Sequence, residues 1–145
     1  AGAAVINAAL KGFEAVSAVH VCFGNNASRP YVRRDFGRLF PGLGQLDCAM
    51  LLLEFANREM ADLDRLPALA ERYRLAAGVI DVKSFYEESA DEVAERIRRV
   101  LEFVPASRLS VTADCGFSAI PRWLARRKLQ AMVAGATIVR AELGA

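Results

Sequence analysis

Four side chains that are common metal ligands follow short apolar runs in this sequence: His20, Cys22, Glu54 and Cys115. His20 and Cys22 are separated by one residue, so on a strand both side chains project from the same face of the sheet. If the two later apolar runs are strands of the same sheet, Glu54 and Cys115 can reach the same point. The pattern therefore predicts a site with one imidazole, two thiolates and one carboxylate, a ligand set typical of zinc.

The charge of this ligand set favours a particular use of the metal. Zinc with two thiolates, one carboxylate and a neutral imidazole carries a net charge of about −1. Such an electron-rich ion is a poor Lewis acid for carbonyl groups, but it can deprotonate an incoming thiol and leave the thiolate nucleophilic. Because four protein ligands normally make a closed structural site, catalysis requires one of them to be displaced, and we expect that ligand to be Glu54.

Each of these residues taken alone also has a structural interpretation. A single histidine is more often a surface or core residue, and a buried strand cysteine is more often packing than a ligand, which is our interpretation of Cys48. Glu54 follows Leu51–Leu53 directly, and a carboxylate so close to an apolar core needs a partner. The four positions together favour a metal site over coincidence.

The composition excludes several classes of protein. The sequence has 145 residues, 54% of them apolar, and a formal net charge of +2, which is too small to indicate a nucleic-acid partner. No window approaches about 18 consecutive apolar residues, so we expect no membrane-spanning segment. Three cysteines without an export signal indicate a reducing compartment, and we expect the cytoplasm. We expect a single domain over residues 1–145; the missing initiator Met and the helical pattern at the start suggest part of a longer protein.

Helical and strand patterns alternate four times after a leading helix. Strands are predicted at 15–23, 48–54, 75–82 and 109–113. Helices are predicted at 3–12, near 36–46 as a helix or turn, at about 59–73 with Pro67 as a kink or break, from a capping box at Ser89 to Pro105, and from Pro121 to about Leu143. This alternation predicts an α/β fold of parallel βα units, and four units make little more than half of a TIM (β/α)8 barrel of about 250 residues.

Polar residues beside the strand ends complete the predicted site, because the carboxyl ends of parallel barrel strands form the active face. Asp81 and Lys83 follow the third strand and are candidate catalytic residues, with Lys83 at the rim as a cation for substrate or in a proton relay with Asp81. Asn25, Asn57 and Asp114 are candidate substrate-binding residues.

Structural alternatives to these roles stay open. Lys83 can be a solvated loop residue, and asparagines are frequent in turns regardless of function. The basic run Arg122–Lys128 is interpreted as a helix face in solvent, with Trp123 as a packing residue.

Four motifs span almost the whole chain: HVCFGN at 20–25, LEFAN at 53–57, GVIDVKS at 78–84 and DCGFS at 114–118. In this order they resemble the catalytic barrel of cobalamin-independent methionine synthases, most closely the shorter single-barrel branch called methionine synthase II. The resemblance implies that zinc is held by His20, Cys22, Glu54 and Cys115. It also implies that a zinc-bound homocysteine thiolate takes the methyl group of 5-methyltetrahydrofolate to form methionine, with this chain as the C-terminal half of the barrel.

The chain departs from the larger members of this family at Lys83, where they carry a histidine after the aspartate. The resemblance extends to relatives that look like users of a methylated corrinoid protein and to a group that transfers epoxides to coenzyme M. The family's amino-acid- and folate-binding residues lie largely in the first half of the barrel, which this sequence lacks. We therefore expect the 145 residues to self-associate or to pair with an N-terminal half-barrel, and a non-catalytic zinc-binding module is the remaining alternative.

Overall fold

Four parallel strands form the centre of the structure, a computed structural model that describes residues 2–144. They are β1 (Ala18–Val21), β2 (Met50–Glu54), β3 (Arg74–Ile80) and β4 (Leu109–Ala113), and they lie side by side in chain order. The register aligns His20 with Leu52, Ala76 and Ser110. Parallel neighbours require each connection to return across the sheet, so the predicted α/β class is confirmed.

The helices of the described residues flank or connect these strands: α1 (Gly2–Leu10), α2 (Phe40–Leu43), α3 (Leu66–Ala70), α4 (Ala90–Leu101) and α5 (Arg122–Leu143). The predicted capping box begins α4: the hydroxyl of Ser89 accepts the N–H of Glu92, and the carboxylate of Glu92 accepts the N–H of Ser89. Between residues 2 and 144 there is no helix with the length and hydrophobicity needed to cross a membrane.

The helix predicted over 59–73 is wrong for most of its length. Glu59, Met60 and Asp62 have positive φ angles of 54°, 60° and 64°, which a continuous right-handed helix cannot contain. Only residues 66–70 form α3, and Pro67 lies in its first turn, where the missing N–H breaks no helical hydrogen bond. Left-handed residues before Pro67 therefore interrupt the backbone where a kinked helix was expected.

One face of the sheet packs against the helices and forms the core. Leu51, Leu53 and Leu75 are at most 2% exposed and belong to a cluster on that face. A second cluster joins the end of β3 to α4 and α5. The two helices approach closely at Gly135, where an added Cβ would lie 2.8 Å from the carbonyl oxygen of Ala90.

The other face of the sheet is incompletely covered. Alternate strand residues point to it, and among them His20 is exposed while Met50, Leu52 and Ser110 are only partly buried. In a closed barrel this face is the packed interior. Partly exposed Met50 and Leu52 are therefore the pattern expected when only half of a barrel is present.

The sheet is strongly curved. Neighbouring strands lie about 4.8 Å apart, so three spacings would separate β1 and β4 by about 14 Å in a flat sheet. Cys22 follows β1 and Cys115 follows β4, yet their Sγ atoms are 3.7 Å apart. Such convergence of the outer strands is typical of strands wrapped around a barrel axis, and together with the four βα units it confirms the partial barrel. Within residues 2–144, β1 and β4 are the sheet edges and each has one strand neighbour.

Candidate metal centre

Three potential metal ligands meet at the carboxyl ends of the outer strands. His20 lies on β1, Cys22 follows that strand, and Cys115 follows β4; one nitrogen or sulfur atom from each lies within 4.8 Å of the others. The two thiols are in contact, and neither is in a disulfide. The structure thus brings together three of the four residues predicted as ligands.

The surroundings hold His20 and Cys22 in their neutral forms. Partial burial lowers the pKa of His20, the Glu54 carboxylate opposes this shift, and the charge of Lys83 adds to it. Partial burial raises the pKa of the Cys22 thiol; a backbone hydrogen bond from Gly24 opposes the shift, and the neighbouring Cys115 and Glu54 add to it. A divalent cation entering the cluster would therefore meet a neutral imidazole ready to bind and would have to displace a proton from Cys22.

Glu54, the fourth predicted ligand, lies beside the cluster but outside the group of three. Its side chain is 0% exposed, and Oε2 accepts hydrogen bonds from Lys83 Nζ at 2.8 Å and from the N–H of Phe23 at 3.3 Å. The other oxygen, Oε1, is buried and has no hydrogen-bond partner. A buried carboxylate oxygen without a partner is energetically costly. We therefore expect Oε1 to bind a cation or to accept a hydrogen bond from a further donor.

The donor chemistry of these residues fits zinc. Zinc prefers nitrogen and sulfur ligands in a tetrahedral shell and also accepts a carboxylate oxygen. The three-residue cluster supplies one imidazole and two thiols. Oε1 of Glu54 is an orphaned acceptor, and this carboxylate is close enough to act electrostatically on His20 and Cys22. Hard cations such as calcium or magnesium require mainly oxygen ligands, which this cluster does not offer.

Lys83 is buried beside Glu54, and its role as a cation for substrate stays a prediction. Its side chain is 2% exposed and forms the ion pair with Glu54, so the alternative of a solvated loop residue is wrong. Asp81 fixes the start of this segment, because its Oδ1 accepts the backbone N–H of Lys83 at 2.8 Å. The buried ammonium of Lys83 balances the negative charge of the Glu54 carboxylate. Without Lys83, a bound metal ion would be the only positive charge beside this carboxylate.

Asp114 fastens the loop after β2 and offers no surface to a substrate. It is 0% exposed, and its carboxylate accepts the backbone N–H groups of Phe55 at 2.9 Å, Ala56 at 3.1 Å and Asn57 at 2.6 Å. Burial outweighs these hydrogen bonds and raises the pKa of Asp114 to about 7. The expected substrate contact does not fit this geometry, since both oxygens are used to position the loop that follows Glu54.

Gly78 of β3 makes room for this carboxylate. An added Cβ at Gly78 would lie 2.2 Å from Oδ1 of Asp114 and 3.0 Å from the carbonyl oxygen of Leu53. No side chain larger than hydrogen can therefore occupy this position while Asp114 keeps its place. The glycine of the GVIDVKS motif is required by steric contact with the strand on either side.

Both predicted asparagines take part in contacts between loops. The amide nitrogen of Asn25 donates to the carbonyl oxygen of Gly116 at 2.9 Å, which joins the loops after β1 and β4. Asn57 Nδ2 donates to Asp81 Oδ1 at 3.2 Å, and its Oδ1 accepts from Arg34. Their substrate contacts stay a prediction.

An open cavity of about 600 Å³ lies between the loops after β1, β3 and β4. Its lining includes Asn25, Ser28, Lys83, Phe85 and Ser118. Lys83, the partner of Glu54, is the residue that connects this cavity to the metal centre. The cavity lies at the carboxyl face of the sheet, where a substrate of an α/β barrel is expected to bind.

A second charged cluster, which was not predicted from the sequence, contains Glu88, Arg96 and Lys128. Lys128 is 0% exposed and pairs with Glu88, so the interpretation of Arg122–Lys128 as a solvated helix face is wrong at its last residue. The available signal was spacing: Lys128 lies four residues after the buried Leu124 and therefore on the same face of α5.

Two smaller expectations had different outcomes. Cys48 is partly buried and packs against the core cluster beneath the sheet, so its structural interpretation is confirmed. Trp123, expected to pack, is 60% exposed on the first turn of α5, and that expectation is wrong for the chain as described.

Comparison with known proteins identifies relatives that match most of the chain. The catalytic domain of cobalamin-independent synthases matches residues 11–138. The 2-hydroxypropyl-CoM lyase of Xanthobacter autotrophicus is 39% identical over an alignment that covers 94% of this chain and 44% of that protein. The methionine synthase of Thermococcus kodakarensis is 38% identical, with coverage of 95% of this chain and 38% of that protein.

A solved structure shares the fold closely. The B12-independent methionine synthase from Shewanella sp., determined in complex with selenomethionine, superposes with a TM-score of 0.85 at 30% identity and covers 98% of this chain. The match includes 43% of that protein, so the chain spans less than half the length of the relatives described here.

Proposed function

Since the chain belongs to the cobalamin-independent methionine synthase family, we propose that it supplies the zinc centre of a thiol alkyltransferase. Within that class we propose transfer of the methyl group of 5-methyltetrahydrofolate to homocysteine, which gives methionine. The observation that carries the proposal is the meeting of His20, Cys22 and Cys115 within 4.8 Å at the carboxyl ends of parallel strands. The orphaned Oε1 of Glu54 beside them supports a fourth ligand position.

Each residue has a distinct part in this proposal. His20, Cys22 and Cys115 would hold the ion permanently, and the ion would lower the pKa of the substrate thiol while leaving its thiolate nucleophilic. Glu54 is the ligand to be displaced by substrate sulfur, because its second oxygen is already held by Lys83 and the N–H of Phe23. The carboxylate thus keeps a cationic partner whether or not it binds the metal.

A second candidate function is alkylation of a different thiol. The relative from Xanthobacter autotrophicus is named a 2-hydroxypropyl-CoM lyase, and its 39% identity is comparable with that of the methionine synthases. The residue after Asp81-Val82 is Lys83, a departure from the histidine of the larger methionine synthases, which favours keeping both candidates. Assays of the complete protein with homocysteine or coenzyme M, each paired with methyltetrahydrofolate or an epoxide, separate them.

The partner we propose is a second half-barrel. Edge strands β1 and β4 have free hydrogen-bonding groups among the described residues, and the partly exposed Met50 and Leu52 line the face that a barrel encloses. Closure would bury this face and complete the pocket for homocysteine and the methyl donor at the carboxyl ends of the strands. The three free cysteines fit a reducing compartment such as the cytoplasm.

Zinc content and sulfur coordination test the proposal directly. The purified protein should bind one zinc ion, and homocysteine should add a sulfur ligand to the zinc shell in X-ray absorption spectra. C115S should abolish zinc binding, whereas the matched control C48S should leave it unchanged, because Cys48 packs against the core and is not part of the ligand cluster. Full zinc retention by C115S would refute the ligand assignment, and a zinc shell that homocysteine never enters would leave only a structural zinc module.

A further inference from the structure

A buried ion pair lies behind the metal centre, where the end of β3 meets α5. Lys128 Nζ donates to Glu88 Oε2 at 2.6 Å and to the carbonyl oxygen of Asp81 at 2.9 Å. Glu88 Oε1 accepts the backbone N–H of Asp81 at 2.9 Å and a hydrogen bond from Arg96 at 3.2 Å. The Glu88–Lys128 pair therefore binds both backbone polar groups of a single residue, Asp81.

Stability alone is a poor explanation for this pair. Desolvation of two buried charges largely offsets their attraction, and apolar residues of similar volume often stabilise a protein as much or more. Both side chains are at most 1% exposed, so the desolvation is nearly complete. The pair fixes a geometry that an apolar contact would leave free.

The end of β3 needs such support. The register with β4 shifts between Gly78 and Ile80, and Ile80 is the last residue of the strand. Asp81 therefore lies just outside the regular ladder, and side chains from two other segments hold its backbone. Its orientation depends on Glu88 and Lys128.

The orientation of Asp81 affects the metal centre through direct contacts. Oδ1 of Asp81 accepts the N–H of Lys83 at 2.8 Å and the side-chain amide of Asn57 at 3.2 Å. Lys83 in turn donates to Glu54 Oε2 at 2.8 Å, which leaves Oε1 as the unpaired oxygen. A rotation of Asp81 would move Lys83 and, with it, the carboxylate of Glu54.

We propose that Glu88 and Lys128 are positioning residues that, through the backbone of Asp81, hold Lys83 against Glu54 and thereby set the metal affinity of the centre. This inference rests on the proposed function, since it assumes that Glu54 belongs to the metal site. Partners that orient metal ligands typically change metal affinity 10–100-fold when removed, roughly the range expected here.

The test compares K128M with R98M. Arg98 pairs with Glu142 and so also joins α4 to α5, but on the surface and away from β3. Zinc affinity is measured by competition with a chromophoric chelator, and the coordination geometry by the visible spectrum of the cobalt(II)-loaded protein. Thermal unfolding of the metal-free variants reports any purely structural effect.

We expect K128M to bind zinc roughly 10–100-fold more weakly and to change the cobalt spectrum, while R98M changes neither. A K128M protein that is less stable but binds zinc as tightly as R98M would overturn the inference. If K128M does not fold, E88Q replaces it, because glutamine keeps the shape and can still accept the N–H of Asp81 while removing the ion pair. If the unchanged protein binds no zinc or cobalt, the proposed function fails first and the inference fails with it.

Discussion

The steric role of Gly78 allows a quantitative test of how the loop after Glu54 is held. In G78A the new Cβ would lie 2.2 Å from Oδ1 of Asp114, far inside van der Waals contact. Backbone strain does not contribute, since Gly78 has no positive φ angle. Asp114 must therefore move, and Oδ1 loses the N–H groups of Phe55 and Ala56.

The expected loss follows from these contacts. A hydrogen bond from a buried N–H to a carboxylate contributes about 1.5–3 kcal/mol, and overpacking of a buried position costs about 1–3 kcal/mol. We expect G78A to lower the free energy of unfolding by about 4 kcal/mol or more, a large fraction of the roughly 5–15 kcal/mol typical of a domain. Because Asp114 precedes Cys115, the same change should weaken zinc binding.

Urea unfolding followed by circular dichroism measures the effect. The matched control is G116A, where an added Cβ has no atom within 4 Å, and we expect it to stay within about 1 kcal/mol of the unchanged protein. A double-mutant cycle with D114A identifies the mechanism, because alanine at residue 78 should cost much less once the carboxylate is gone. A G78A protein as stable as G116A would refute the steric argument.

Three further predictions concern charge and assembly. Burial alone would raise the pKa of Glu88, but hydrogen bonds from Lys128 and the N–H of Asp81 outweigh it and leave the pKa below 4.5. This carboxylate stabilises the fold above its unfolded pKa, and the contribution is lost as the pH falls through the lower folded pKa. E88Q should therefore flatten the loss of stability that urea titrations show as the pH falls below 4.5, and an unchanged loss of stability in acid would contradict this. K83M leaves the buried Glu54 without its counter-charge and should destabilise the metal-free protein by about 3 kcal/mol, with a smaller loss when zinc is present. Equal shifts in melting temperature with and without zinc would argue against a shared role for Lys83 and the metal. Light scattering of the isolated chain should show self-association through the β1 and β4 edges, and a well-behaved monomer would count against it.

The order of the strands and the location of the site could be predicted because both depend on local patterns. Apolar runs of strand length ending in a ligand residue fix which residues reach the carboxyl face, and parallel strands in chain order place those ends together. His20, Cys22 and Cys115 meet for this reason. Glu54 was expected in the same shell, but its geometry depends on Lys83, and no local pattern shows that these two side chains pair.

The features that could not be predicted depend on tertiary contacts. The stretch 59–73 has the composition of a helix, yet Glu59 and Asp62 adopt left-handed conformations. The carboxylate of Asp62 accepts hydrogen bonds from Arg58 and from the N–H of Phe36, a contact between distant segments that no local pattern shows. Lys128 was assigned to solvent because an ammonium on a helix is usually exposed, and its buried partner Glu88 lies forty residues earlier in the chain. Trp123 shows the reverse case, a large apolar side chain that the described residues leave uncovered.

The contact between Cys22 and Cys115 joins two strands that are not neighbours in the sheet and are 93 residues apart in sequence. Until both outer strands have docked, the donors cannot share one ion, so tight metal uptake should follow completion of the sheet and report its cooperative formation. A shortened chain that ends before β4 would keep the His-x-Cys pair but lose high affinity. By mass action the bound ion would in turn oppose fraying of the first and last strands. The concentration of available metal would then help to set the stability of the folded protein.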